Sequence, residues 1–166
     1  MRQIMKTRAI TLAAVLAALF ALPPVRAGAQ TETTVAAAAG GTYPPSASYG
    51  GVPLNGVTFG TGVTIATDGS ASGDFHAKLL GTSLLGQPQD INVDGKATSG
   101  SVPAAGTATF SGNASVDMGD GTPPIPAVPY TVTLVADANG RGTLTLVLGT
   151  TTLPAATVNE GSMTIE

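Results

Sequence analysis

The sequence predicts an all-β fold, an antiparallel β-sandwich or small barrel of about 7–9 strands, set behind a signal peptide and a disordered linker. Three observations predict it. Apolar and polar residues alternate with a period of two in segment after segment. Gly- and Pro-bearing breaks separate those segments at short intervals. Beyond residue 29 no window carries the 3.6-residue spacing of an amphipathic helix.

The first 29 residues read as an export signal. Arg2, Lys6 and Arg8 form a basic start, and the uncharged apolar run Ala9 to Leu22 follows. Ala27 and Ala29 then sit at the −3 and −1 positions of a small-residue cleavage site. The apolar run is shorter than the roughly 18 residues of a membrane span. Cleavage is therefore expected after Ala29, with a secreted or periplasmic product.

Residues 30–55, with "TETTVAAAAGGTYPPSASYGG", are rich in Ala, Gly, Pro and Ser and show no apolar period. They read as a flexible linker, and the β domain is expected over residues 56–166.

Within that domain the segment "GTATFSGNASVDM" is the clearest strand. Ala108, Phe110, Gly112, Ala114, Val116 and Met118 alternate with Thr, Ser, Asn and Asp. "YTVTLVA" places Tyr130, Val132, Leu134 and Ala136 on one face, and "GTLTLVL" does the same with Leu144, Leu146 and Leu148. "GVTIAT" and "GDFHAKLL" form a further pair around Asp68-Gly69, with Phe75, Ala77 and Leu79 opposite His76 and Lys78. "DINV" and "KATSGSV" flank Asp94-Gly95, and "SMTIE" closes the chain. Asp-Gly pairs at 68–69, 94–95 and 120–121 suit hairpin turns that need positive φ. "TPPIPAVP", with four prolines in eight residues, reads as a stiff surface loop.

The order of these pieces resembles the post-COAP family of bacterial extracellular domains. The resemblance rests on "VTFGTGVTIATDGSASGDFHAK", "GTATFSGNASV", "YTVTLVADANGRGTLTL" and the closing "GSMTIE". It spans about Gly56 to Glu166 and implies a secreted all-β domain behind a linker, with no activity attached. "LLGTSLLGQPQDINV" departs from the pattern, because it lacks the aromatic residue of the expected partner strand.

Charge excludes several functions. From residue 30 onward Lys78, Lys96 and Arg141 face ten acidic residues, a net charge of −7. No basic patch is available to neutralise phosphates, so no nucleic-acid partner is expected. Anionic membrane surfaces should repel the chain, and no integral span is expected after cleavage. The chain has no Cys, which removes thiol catalysis, Cys-ligated metal and disulfides.

"DANGRG", with Asp137, Asn139 and Gly142, opens like a calcium loop. Arg141 falls where an oxygen ligand is needed and Leu148 where a bidentate Glu is needed. The segment reads as a hairpin turn. A second calcium reading remains. If the strands run up and down in order, the turns carrying Asp68, Asp94, Asp117 and Asp120 share one end, with Asp137 at the other. Carboxylates clustered there make a candidate calcium site, the only cofactor expectation. His76 is the sole histidine, and no nucleophile motif accompanies it.

The sequence thus predicts a non-catalytic structural or interaction module, acting on an extracellular or envelope protein or polymer. A small-ligand-binding barrel, a calcium-stabilised adhesion module and a hydrolase built around His76 are the alternatives.

Overall fold

The computed structural model describes residues 32–166; the expected signal peptide and its expected cleavage site lie outside the described residues. Ten strands and no helix occur among them: β1 (Thr33–Thr42), β2 (Ser48–Tyr49), β3 (Val52–Ile65), β4 (Ala71–Gly81), β5 (Ile91–Ala104), β6 (Thr107–Asp117), β7 (Ile125–Ala136), β8 (Gly142–Leu148), β9 (Thr151–Thr152) and β10 (Ala156–Ile165). All pair antiparallel in one sheet, so the all-β expectation holds.

The sheet rings round on itself. β3 through β8 are neighbours in chain order, β10 follows β8, and β1 bonds to β10 on one side and β3 on the other. The seam between β8 and β10 is only the three pairs from Ala156↔Leu144 to Val158↔Gly142, so the ring is not a regular barrel. Where β10 outruns β8, the β7–β8 loop takes over: the Met163 N–H donates to the Gly140 carbonyl at 2.7 Å. That contact covers an edge that would otherwise offer unpaired backbone groups to other chains.

Inward positions follow the period-two pattern. Phe75, Leu79, Phe110, Val116, Val132, Leu134, Leu144 and Leu146 are fully buried. Three aromatic rings fill the middle. Phe75 stacks on Tyr130 at 5.7 Å between centroids and meets Phe110 edge-on at 6.0 Å.

Three expectations need correction, besides the loop reading of "TPPIPAVP", whose Ile125–Pro129 open β7 and pair with β6 across a register shift. The expected linker, residues 30–55, contributes β1, β2 and the start of β3. β1 pairs along its length with β3, from Thr33↔Ile65 to Thr42↔Gly56. Val35, Tyr43 and Ala47 are buried core. Alanine and glycine obscured the strand because the site needs small residues: a Cβ at Gly41 would fall 2.6 Å from the Thr157 carbonyl oxygen. Second, Asp94-Gly95 is no turn. "DINV" and "KATSGSV" are one strand, β5, with Asp94 paired to His76 and Gly95 to Phe75. Third, the Asp68-Gly69 hairpin has positive φ at Gly69 alone. The loop is a three-residue connection with a left-handed glycine, where a two-residue turn was expected.

Candidate functional site

Antiparallel order places the β4–β5, β6–β7 and β8–β10 connections at one end of the ring, here the upper end. The β3–β4, β5–β6 and β7–β8 connections lie at the lower end.

The outer wall of β4 and β5 carries two cross-strand pairs of charged or titratable side chains. His76 Nδ1 and Asp94 Oδ1 are 2.7 Å apart, and Lys96 Nζ lies 3.3 Å from Asp74 Oδ1. Lys78 sits opposite Asn92. These contacts follow directly from register, since residues directly opposite on neighbouring strands lie side by side. With Thr58 and Gly60 of β3, His76, Lys78, Asn92 and Asp94 line an open groove of about 410 Å³. The His76 and Asp94 side chains are 64% and 62% exposed, so water screens the pair strongly. Asp94 orients the imidazole as a catalytic base would be oriented, yet among the described residues no hydroxyl is hydrogen-bonded to His76. The geometry is a cross-strand pair that lacks the nucleophile a triad requires.

The candidate calcium residues do not come together. Asp68 is in the β3–β4 loop at the lower end, Asp117 and Asp120 are at the upper end, and Asp94 is mid-strand on the outer wall. No group of three or more His, Asp or Glu side chains placed to hold a metal occurs among the described residues. The physical reason is local. Asp68, Asp117 and Asp120 each accept the N–H two residues on, from Ser70 at 2.8 Å and from Gly119 and Thr122 at 2.9 Å. Hydroxyl and backbone hydrogen bonds from Ser70 hold the Asp68 carboxyl below the usual range, and Thr122 acts likewise on Asp120. These carboxylates are spent on their own turns. Asp137 does the same for the β7–β8 loop, accepting from Asn139 at 2.8 Å and Arg141 at 2.9 Å. "DANGRG" is the hairpin turn its sequence indicated.

The interior of the ring, where a small-ligand barrel would hold its cargo, is occupied by the Phe75, Phe110 and Tyr130 rings and the leucines around them.

The feature that sequence reasoning missed is at the upper end. Leu84 and Leu85 form the tip of the β4–β5 loop and are 94% and 88% exposed. Their loop is ordered: the Ser83 N–H donates to the Gln87 carbonyl at 2.8 Å and the Gly86 N–H to the Ser83 carbonyl at 2.9 Å. The signal was present in "TSLLGQP". An apolar pair between Ser and Gly, with Pro close behind, marks a turn tip carrying the wrong residues for water. No helix among the described residues is long and apolar enough to cross a membrane.

No family model matches this chain, and searches of curated proteins and of solved structures also give no match.

Proposed function

We propose that the chain is an exported, non-catalytic β domain that acts through its surface, as a structural or interaction module outside the cytoplasm or in the periplasm. The observation that carries this reading is the filled ring. Phe75, Phe110 and Tyr130 occupy the interior, so what the fold offers a partner is its outer wall and its loops. Basic, apolar and small-residue segments in order over residues 1–29 support export. The turn carboxylates, bound to their own backbone, support a structural role for Asp.

The test is fractionation of the exporting cell followed by N-terminal sequencing and envelope binding. The proposal expects a product starting at Gln30, outside the cytoplasm, that sediments with isolated envelope and does so equally as His76→Ala. A cytoplasmic product that keeps Met1 would contradict export. Turnover of an envelope polymer or ester, lost in His76→Ala, would make the protein an enzyme.

A further inference from the structure

Three hairpins of the ring are built on one turn. In Ala66–Ser70, Ser83–Gln87 and Asp137–Arg141 the first residue's N–H donates to the fifth residue's carbonyl, at 2.9, 2.8 and 2.6 Å. In each, the fourth residue's N–H returns to the first residue's carbonyl, at 3.0, 2.9 and 3.0 Å. The fourth residue is always a left-handed glycine: Gly69, Gly86 and Gly140. The turn therefore requires the glycine and leaves the two tip residues free. Two of the tips are Thr67–Asp68 and Ala138–Asn139, the small or polar residues such turns favour. The third is Leu84–Leu85. The turn geometry does not call for leucine there, and neither leucine joins the core.

A single exposed leucine is ordinary on any protein surface. Two adjacent ones, held out on a hydrogen-bonded tip, present a convex apolar knob that is already ordered before any contact. Carboxylates flank the knob on the β6 side of the upper end. Asp90 follows it in the chain, Asp117 ends β6 and Asp120 lies on the β6–β7 loop, and the Gln89 Nε2 hydrogen bond to the Met118 carbonyl at 3.0 Å ties the two loops together. The described cations are elsewhere. Lys96 pairs with Asp74, Arg141 is at the lower end, and Lys78 is set back on the outer wall opposite Asn92.

We propose that the Leu84–Leu85 tip is a plug that docks into an apolar cleft, rimmed by Lys or Arg, on a protein partner outside the cytoplasm. This inference rests on the surface-acting reading above. Shape favours a cleft over a flat surface, because both side chains project almost wholly into solvent. Charge favours a basic rim. The same carboxylates repel an anionic lipid surface and the like-charged upper end of a second copy.

The test uses the protein purified after export from its own host, beside Leu84→Ala/Leu85→Asn, which installs the tip pair of the 138–139 turn. That pair already serves this turn in the same chain, and an unchanged melting temperature verifies that the variant folds. Binding to isolated envelope is measured with and without protease treatment of the envelope. A photo-crosslinker at position 85 identifies the bound component, which is then purified and titrated. The expected result is a protease-sensitive protein that binds the variant about tenfold more weakly or worse. Its affinity falls as salt rises from about 50 to about 500 mM.

Envelope binding that is equal for both proteins would overturn the plug while leaving the surface-acting reading standing. Equal capture by protein-free phosphatidylcholine vesicles, or a crosslink to a second copy, would overturn the protein cleft. Absence of any envelope binding by the unaltered protein would overturn the plug and the reading together.

Discussion

Gly95 of β5 lies directly against the ring of Tyr130: a Cβ at position 95 would fall 2.6 Å from Tyr130 Cε1 and 2.9 Å from Cζ. The glycine that looks like half of a hairpin turn is a gap in the sheet that admits an aromatic ring. Its φ is not positive, so alanine there costs packing alone. Gly95→Ala should destabilise the fold by about 1–3 kcal/mol, the usual cost of overpacking a core. Most of that cost should vanish when Tyr130 is also changed to Leu. Denaturant unfolding of the single and double variants measures the coupling.

Tyr130 itself is buried with no hydrogen-bond partner for its hydroxyl. Burial pushes its pKa up to about 12, with the Asp74 carboxylate adding to the effect. A folded-state pKa above the unfolded value stabilises fully at lower pH, and that contribution is lost as pH rises through the folded value. Stability should therefore fall between about pH 10 and pH 12, and phenolate absorbance should appear together with unfolding. Tyr130→Phe removes an unpaired buried hydroxyl, so it should be neutral or stabilising by up to about 1 kcal/mol. It should also reduce the alkaline loss.

At the acid end the sign reverses. The Asp68 and Asp120 carboxyls are held below their usual pKa by hydrogen bonds from Ser70 and Thr122. A lowered folded-state pKa stabilises above the unfolded value, near 3.8 here, and the contribution is lost as pH falls through the folded one. Thermal melts from pH 5 to pH 2 should show a falling midpoint, with a shallower fall in Asp68→Asn/Asp120→Asn. A midpoint independent of pH in the unaltered protein would contradict these turns.

Asp137 should matter beyond its own loop. Its carboxylate accepts from Asn139 and Arg141, and the loop it orders supplies the Gly140 carbonyl that receives Met163 of β10. Asp137→Ala is expected to cost about 1 kcal/mol and to raise amide exchange at Met163 specifically. Exchange at Leu144 and Leu146, deep in the core, should change far less.

Much of the fold was legible because large side chains announced it. Phe110 and Val116 in one strand, and Leu144, Leu146 and Leu148 in another, recur two or six positions apart between outward Thr, Ser, Asn or Val, and all are buried as that period of two requires. β1 was hidden for the opposite reason. Its inward positions include Ala37 and Ala39, too small to show a period, and its partners β3 and β10 include the far end of the chain. Ring closure is a non-local event that no local window records. The candidate calcium residues failed because reading Asp94-Gly95 as a turn inserted a reversal that does not exist, which shifted every later turn to the wrong end. The Leu84–Leu85 tip was readable in principle, but an apolar pair looks like core until its place on a turn is known.

Residues 33–42 are a working strand of the ring, and its closure depends on them. Amide hydrogen exchange on the purified protein is the decisive measurement. Slow exchange is expected for the β1 amides bonded to β3 and β10, Val35 through Gly41, with protection approaching that of Phe110 and Leu146. Exchange of that segment at the rate of an unstructured peptide, with the rest of the sheet protected, would make it a tether and leave the ring open.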